Sequence, residues 1–397
     1  MKNPMQTLHD LGQSLWLDDL HRGLITSGEL KQLIEGDGLC GLSSNPIIFE
    51  KAMDESDEYQ DMLEAPESQG IPSKTLYERI AVRDVQEAAE VFRSVYLATS
   101  GRDGFVSLEI SPRLARDPQG TLGEARRLWH MVARENAMIK IPGTPEMTPV
   151  IQQLIGEGIN VNITLISTER AYEQVAMAYI DGLESLTQAG GDPSKVASVV
   201  SIPIRSIDEA IEAWIEARRR CPLSLKELEM LTSISGRVAI ANAKLLYQKY
   251  REILSGDRWQ SLCLKGANPQ RLVWIGTAMT NPAFSDVHYV EALIGTDTIN
   301  AVPPDTLASF RDHGHAHETL TEGLEEAPHT MDLLAPAGIP FEELTEKLLA
   351  DGVGQFEDAF TRLLHTTSRG SQRSGGDPVT FLRMKLFQEF YKGRQLT

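Results

Sequence analysis

Eight short apolar segments alternate with longer helical patterns along this chain, and no other feature of the sequence restricts the fold so strongly. The segments lie at residues 14–18, 39–44, 104–110, 137–141, 160–165, 196–202, 272–276 and 297–303. Amphipathic spacing fills the intervals, for example at Val238, Ala241 and Leu245. Strands that alternate with helices form parallel sheets, so eight such units predict an α/β fold, the (β/α)8 TIM barrel, with additional helices.

The C-terminal part of the chain differs from the rest in composition. The segment "SRGSQRSGGD", residues 368–377, is rich in small and polar residues and predicts a flexible joint. A basic, aromatic helix, "TFLRMKLFQEFYKGR", follows it. We therefore expect a barrel over residues 1–367 and an extension over 368–397, whose helix docks on the barrel or on the partner in a homodimer.

Composition and charge narrow the class of partner. The chain has 397 residues and a formal net charge of −18, which argues against nucleic acid or an acidic membrane surface as a partner. No apolar run approaches the ~20 residues that a membrane-spanning helix needs. The three cysteines are an odd number without metal-type spacing, as is typical of a reducing cytoplasm. These features predict a cytoplasmic enzyme that acts on small molecules.

A lysine interrupts the apolar fourth segment, "AMIKI". Because alternate side chains of a strand face opposite sides, Ile139 and Ile141 should face the helices while Lys140 faces the barrel interior. The same alternation in three other segments turns further polar side chains inward, namely Asp18, Glu109, Asn162 and Thr164. All of them lie near the C-terminal ends of parallel strands, where barrel enzymes carry their active sites.

Two interpretations of this lysine are open. A single inward Lys or Glu could belong to a structural ion pair that fills the barrel. Five polar residues from four strands, all at one end, favour a catalytic site instead. Burial among apolar side chains disfavours the ammonium form of a lysine, so that a nucleophilic amine becomes available. Such an amine forms a Schiff base with a carbonyl compound and thereby promotes cleavage of a nearby C–C bond.

Several stretches of the sequence carry a family resemblance. They are "SLWLDDLHRGLI", "GLCGLSSNPIIFEKAM", "MIKIPGT", "EGINVNITLIST" and "ANAKLLYQKYREILSGDRW". Together they resemble the transaldolase family in its longer bacterial form, from about residue 10 to residue 367. The resemblance implies a (β/α)8 barrel and a class I aldolase mechanism without a cofactor.

The resemblance also implies roles for individual residues. Lys140 matches the Schiff-base lysine, and Asp18 matches the acid/base that exchanges a proton with the C4 hydroxyl. Glu109 matches the carboxylate that acts through a water to dehydrate the carbinolamine, and Thr164 matches the residue that holds this water. Carboxylates can exchange protons near neutral pH when their surroundings tune them, which suits these roles.

Four more residues match positions that hydrogen-bond the hydroxyls of the dihydroxyacetone unit, namely Ser43, Asn45, Asn162 and Ser201. Asn45 precedes a proline and could instead be a turn residue. The two serines could be small side chains that fill the barrel interior.

The sequence departs from the family where a sugar phosphate should bind. The family's arginine, five residues after the sixth-strand serine, is replaced by Ser206, and Arg205 lies one residue earlier. In the following loop Ala278 and Thr280 occupy the places of a hydroxyl and a cation. Arg205 could still reach a phosphate, because a loop can absorb a shift of one residue. Thr280, with its neighbours Thr277 and Asn281, suits a neutral polar group.

Three functions follow from these features. The first is a transferase that moves a dihydroxyacetone unit from a ketose, such as fructose 6-phosphate or sedoheptulose 7-phosphate, to an aldose. The second is a lyase with the same Schiff base and an altered, non-phosphorylated substrate. The third is a non-catalytic barrel, which the presence of Lys140, Asp18 and Glu109 together disfavours.

Metal and cofactor sites are not expected. His313, His315 and His317 alternate in a metal-like pattern, but no cysteine or carboxylate pattern accompanies them. The sequence also has no glycine-rich phosphate loop and no dinucleotide fingerprint.

Overall fold

Eight parallel strands close into a barrel in the computed structural model, which describes residues 3–65, 68 and 70–373. The strands are β1 (Ser14–Asp18), β2 (Gly41–Ser43), β3 (Phe105–Glu109), β4 (Ala137–Pro142), β5 (Val161–Thr164), β6 (Ser198–Pro203), β7 (Arg271–Ile275) and β8 (Thr298–Val302). Each pairs with the next in chain order, and β8 pairs with β1. The predicted (β/α)8 fold is confirmed, and the bounds of each strand differ from the predicted segment by no more than two residues.

Helices surround the barrel. Within the described ranges they are α1 (Pro4–Asp10), α2 (Arg22–Thr26), α3 (Glu29–Asp37), α4 (Pro46–Glu55), α5 (Gln60–Leu63), α6 (Ser73–Val91), α7 (Arg93–Ala98), α8 (Pro118–Val132), α9 (Thr148–Gly156), α10 (Glu169–Gln188), α11 (Ile204–Arg219), α12 (Leu225–Ile234), α13 (Val238–Ser255), α14 (Asp257–Cys263), α15 (His288–Ala292), α16 (Pro304–His313), α17 (Glu326–Asp332) and α18 (Phe341–Arg373). None of these described helices is long and apolar enough to cross a membrane.

The barrel has two apolar cores. The larger lies between strands and helices and includes Ile139 and Ile141 of β4. The smaller fills the barrel interior and includes Trp16 and Met138. Gly41 makes room for this interior core, because a Cβ atom at Gly41 would lie 2.4 Å from Cε2 of Trp16. The indole therefore fills the barrel below the polar residues at the C-terminal strand ends.

A buried ion pair crosses the opposite end of the barrel. Arg271, the first residue of β7, donates hydrogen bonds to Asp103 Oδ1 at 2.7 Å and to Ser14 Oγ at 2.8 Å. The Ser14 hydroxyl donates in turn to Asp103 Oδ2 at 2.9 Å. Because both charged partners are buried and share these hydrogen bonds, the pair is satisfied within the protein and closes the N-terminal end.

The last helix, α18, runs beside the C-terminal mouth of the barrel. It packs against α4, α6 and α11. At Gly352 an added Cβ atom would lie 2.9 Å from the Leu165 side chain, which follows β5, so a glycine allows this close approach. Residues 368–373 of the expected joint continue α18, and the rest of the joint and the final predicted helix lie outside the described residues.

Candidate active site

Lys140 lies in a row with two other predicted site residues. The register of the sheet pairs it with Glu109 of β3 on one side and with Asn162 of β5 on the other. Its Nζ lies 3.5 Å from Glu109 Oε2 and donates a hydrogen bond of 3.1 Å to the backbone carbonyl of Ser44. The side chains of Lys140 and Glu109 are each only 3% exposed, so the amine and the carboxyl group face each other in a site shielded from bulk water.

Burial changes the acidity of Glu109. It raises the pKa of this carboxyl group to about 7, and the nearby charge of Asp18 acts in the same direction. The positive charge of Lys140 opposes this shift by lowering the pKa. At 3.5 Å the ion pair is too long for a good hydrogen bond, and Glu109 Oε2 has no hydrogen-bond partner among the described residues. Glu109 can therefore hold or release a proton near neutral pH.

A chain of hydroxyl and amide groups lies beside the lysine. Ser201 Oγ donates to Asn162 Oδ1 at 3.0 Å, and Asn162 Nδ2 donates to Ser107 Oγ at 3.0 Å. The structure thus brings together Asn162 and Ser201, two of the residues expected to bind hydroxyl groups. The structure adds Ser107 to these hydrogen-bonded groups. Strand alternation predicts that Ser107 faces inward, but it does not predict its hydrogen bond to Asn162.

Ser44 is a second residue that sequence reasoning missed. Its carbonyl accepts the hydrogen bond from Lys140, and its hydroxyl donates to the Ser107 carbonyl at 2.9 Å. Its position between Ser43 and Asn45 in "LSSNP" was the available signal. A backbone acceptor, however, leaves no pattern in side-chain chemistry.

Two predicted catalytic residues carry buried oxygens that have no hydrogen-bond partner in the described part of the chain. Thr164 Oγ1 and Asp18 Oδ1 make no hydrogen bond to any described residue. Buried polar atoms are almost always paired, so such atoms in a cleft indicate groups that await a ligand or solvent. Asp18 lines the cavity at the mouth of the barrel. The neighbouring Asp19 instead lies 3.7 Å from His21, and burial raises its pKa.

Ser43 and Asn45 lie at the C-terminal end of β2, on the other side of the Lys140 strand from Asn162 and Ser201. Ser43 is buried and is the register partner of Asp18. Asn45 caps α4, since its Oδ1 accepts hydrogen bonds from the backbone N–H groups of Ile47 and Ile48. The side-chain oxygen of Asn45 therefore has a structural role, as the turn interpretation expected. Its Nδ2 can still donate to a substrate hydroxyl.

A cavity of about 620 Å³ opens above the strand ends and extends from Asp18 to the first turns of α11 and to α18. Arg205, in the first turn of α11, lines it. The Arg205 Nε lies 3.5 Å from Glu209 Oε1. Thr280 Oγ1 approaches the same carboxylate oxygen at 3.4 Å. Arg205 and Thr280 are the two residues predicted to contact the far end of the substrate, and both lie beside Glu209.

The loop after β7 departs from a phosphate site in other ways. Thr280 is exposed and is not among the residues that line the cavity. Asn281 accepts a hydrogen bond from the Ala283 backbone N–H, which fixes a turn. Thr277 is fully buried, and its hydroxyl has no described partner. Lys347 of α18, which no sequence motif singled out, lines the cavity.

Two histidines of "HGHAHE" contact carboxylates, His313 those of Asp286 and Asp312 and His315 that of Glu291. His313 Nε2 lies 2.9 Å from Asp286, and these contacts raise the pKa of His313. His315 lies 3.6 Å from Glu291. Within the described ranges no group of three or more His, Cys, Asp or Glu residues is arranged to hold a metal ion.

Comparison with known proteins places this chain in a family. A family model described as Transaldolase/Fructose-6-phosphate aldolase matches residues 15–367. "Transaldolase 2" of Nostoc sp. is 41% identical over 367 residues, which cover 92% of this chain and 96% of that protein. "Transaldolase" of Frankia alni is 37% identical and covers 95% of this chain and all of its own length. "Transaldolase" of Neisseria gonorrhoeae is 40% identical over 89% of this chain and 96% of its own. The chain therefore belongs to the transaldolase/fructose-6-phosphate aldolase family and is an enzyme with transaldolase-type chemistry.

Proposed function

We propose that Lys140 forms a Schiff base with the C2 carbonyl of a ketose. The observation that carries this proposal is the buried Lys140 amine 3.5 Å from Glu109 at the C-terminal end of the barrel. The neutral amine attacks C2 and gives a carbinolamine. Glu109, whose pKa is about 7, supplies the proton with which the C2 hydroxyl leaves as water, through a water held by Thr164. The product is an iminium ion on Lys140.

Asp18 then acts as the base for carbon–carbon cleavage. It removes the proton of the C4 hydroxyl, the C3–C4 bond breaks, and C4 leaves as an aldehyde. The electron pair of that bond enters the iminium and gives an enamine. The enamine adds to the carbonyl carbon of an acceptor aldose, and Asp18 returns its proton to the new hydroxyl. Hydrolysis of the Schiff base releases the new ketose and regenerates the amine.

The polar chain next to the lysine suits the hydroxyls of the retained dihydroxyacetone unit. Asn162 and Ser201 hydrogen-bond each other at 3.0 Å. A substrate hydroxyl can replace either partner in this hydrogen bond. Ser43 at the end of β2 and the Nδ2 of Asn45 at the start of α4 can form further hydrogen bonds to these hydroxyls. Their arrangement on both sides of Lys140 supports binding of a polyol rather than of an apolar carbonyl compound.

The proposed donors are ketose phosphates, such as fructose 6-phosphate and sedoheptulose 7-phosphate, because the family acts on sugar phosphates. A second candidate is a lyase that releases free dihydroxyacetone or uses non-phosphorylated sugars. It is favoured by the contact between Arg205 and Glu209 and by the absence of the family's two cations, whose places Ser206 and Thr280 occupy.

The setting of the reaction is also a proposal. We place the enzyme in the cytoplasm, since its three cysteines are free. We treat residues 1–367 as the catalytic unit, which the family match over 15–367 supports, and 368–397 as an extension. We propose a homodimer, to be tested by the molar mass of the full chain in light scattering.

Turnover of fructose 6-phosphate with and without erythrose 4-phosphate tests the proposed reaction. A transferase releases glyceraldehyde 3-phosphate and forms sedoheptulose 7-phosphate only when the acceptor is present. Free dihydroxyacetone without acceptor would instead identify a lyase. The matched control is Lys140→Met, which keeps a long side chain in the barrel but removes the amine and should abolish both outcomes.

A further inference from the structure

Two cations from distant parts of the sequence line the cavity that leads to Asp18. Arg205 belongs to the first turn of α11, and Lys347 belongs to the second turn of α18. The family's usual cations after β6 and β7 are absent in register, but this cavity brings another pair of cations to the same mouth. The charges come from side chains on two helices that pack against each other.

We propose that Lys347 and Arg205 together bind the phosphate group at the far end of the sugar substrate. This inference rests on the proposed function, since it assigns the substrate class of the same site. Two cations that approach from different helices can contact different oxygens of one phosphate, and charge-assisted hydrogen bonds to phosphate are among the strongest in proteins. The site would thus keep the specificity for phosphorylated sugars with a residue from the last helix.

Lys347 is free to take this role. It makes no ion pair or hydrogen bond to another described residue, and it is exposed to the solvent of the cavity. Its backbone is held in place, because Leu344 and Leu348 pack on the main core and Gly352 lies against Leu165. An ammonium group on a fixed helix, with no partner among the described residues, suits an anion that arrives with the substrate.

Glu209 is the carboxylate with which the phosphate would compete for Arg205. Its carboxylate lies between Arg205, at 3.5 Å, and Thr280, at 3.4 Å. The side chains of Arg205 and Glu209 are 37% and 55% exposed, and ion pairs with this exposure contribute little to stability. A doubly charged phosphate can therefore displace Glu209 from Arg205.

Three carboxylates of the cavity oppose the binding of a phosphate. Asp351 of α18, Glu209 and Asp18 all line it, so their negative charges offset part of the attraction of the two cations. Loss of one cation should therefore lower phosphate affinity strongly, and neutralisation of Glu209 should raise it. These opposite effects are specific to an anion site.

Steady-state kinetics of Lys347→Met, Lys347→Arg and Glu209→Gln test the proposal. For Lys347→Met we expect KM for fructose 6-phosphate to rise about tenfold, and competitive inhibition by inorganic phosphate to weaken by a similar factor. Lys347→Arg should retain most of the affinity, and Glu209→Gln should lower KM. Lys226→Met is the matched control, since Lys226 is also exposed and without a described partner but does not line the cavity.

Borohydride trapping with dihydroxyacetone, which carries no phosphate, separates this inference from the proposed function. Trapping on Lys140 should be equal in the wild type and in Lys347→Met. If the wild type gave no adduct, the proposed function would fail. If trapping is normal but Lys347→Met and Lys226→Met have the same KM for fructose 6-phosphate, the anion site is disproved. An equal loss of trapping and phosphate affinity in Lys347→Met would also contradict it, because it indicates a structural role of α18.

Discussion

At the scale of single residues, the acidity of Glu109 links the geometry of the site to its chemistry. Burial opposite Lys140 raises the pKa of this carboxyl group to about 7. The carboxyl group therefore stays protonated up to near neutral pH and loses its proton as the pH rises through about 7. The proton that carbinolamine dehydration needs is lost in the same range.

A pH profile of Glu109 variants follows from this. In the wild type, kcat/KM should fall as the pH rises above about 7. Glu109→Gln should lower kcat by a factor of about 100 or more and remove this limb, because an amide transfers no proton. Glu109→Asp, the conservative control, should keep a limb at shifted pH. An unchanged alkaline limb in Glu109→Gln would assign that limb to another group.

Strand alternation was sufficient to predict several individual residues. It predicted that Lys140 and Glu109 face inward, because each strand has only two faces. It could not reveal that Asn45 caps α4, because the same Asn-Pro pair suits a cap and a binding site. Nor could it identify the Ser44 carbonyl as the acceptor for Lys140, since every residue has a carbonyl.

At the scale of elements, the close approach of β1 and β2 depends on a glycine, Gly41, which has no side chain. Trp16 lies over Gly41 inside the barrel, and its Nε1 is buried without a described partner. Trp16 belongs to the same strand as Asp18 and is one alternation below it. Displacement of the indole would therefore disturb the strand that carries the proposed acid/base.

Gly41→Ala should lower stability because the new methyl group would lie 2.4 Å from the indole. We expect a loss of about 1–3 kcal/mol in the free energy of unfolding, the usual range for overpacked cores, measured by urea denaturation. The control is Gly36→Ala in α3, where an added Cβ meets nothing within 4 Å and helix propensity should make the change neutral or slightly favourable. Equal stabilities of the two variants would mean that the indole moves without cost.

Backbone strain also occurs at the mouth of the barrel. Leu165, directly after Thr164, has a φ of 66°, in the left-handed region that a leucine rarely adopts. Its side chain lies against Gly352 of α18 and lines the cavity. Strained backbone of this kind often occurs at functional sites, where the surrounding structure holds it in place.

At the scale of the whole molecule, local periodicity was enough to predict the barrel but not the path of the last helix. Eight alternating units specify a parallel barrel because each unit packs on its neighbours. The position of α18 depends on contacts with α4, α6 and α11, which are far apart in sequence. Sequence periodicity therefore could not bring Lys347 to the cavity that Arg205 lines.

The most direct test of the whole account is reductive trapping of the Schiff base with sodium borohydride. With fructose 6-phosphate or dihydroxyacetone, mass spectrometry should find one covalent adduct, on the peptide that contains Lys140. Lys140→Met should give none. Asp18→Asn should still be trapped with the ketose, although it turns over little, because Asp18 acts after the Schiff base has formed. An adduct on a different lysine, or no adduct with either compound, would contradict the central claim that Lys140 is the nucleophile.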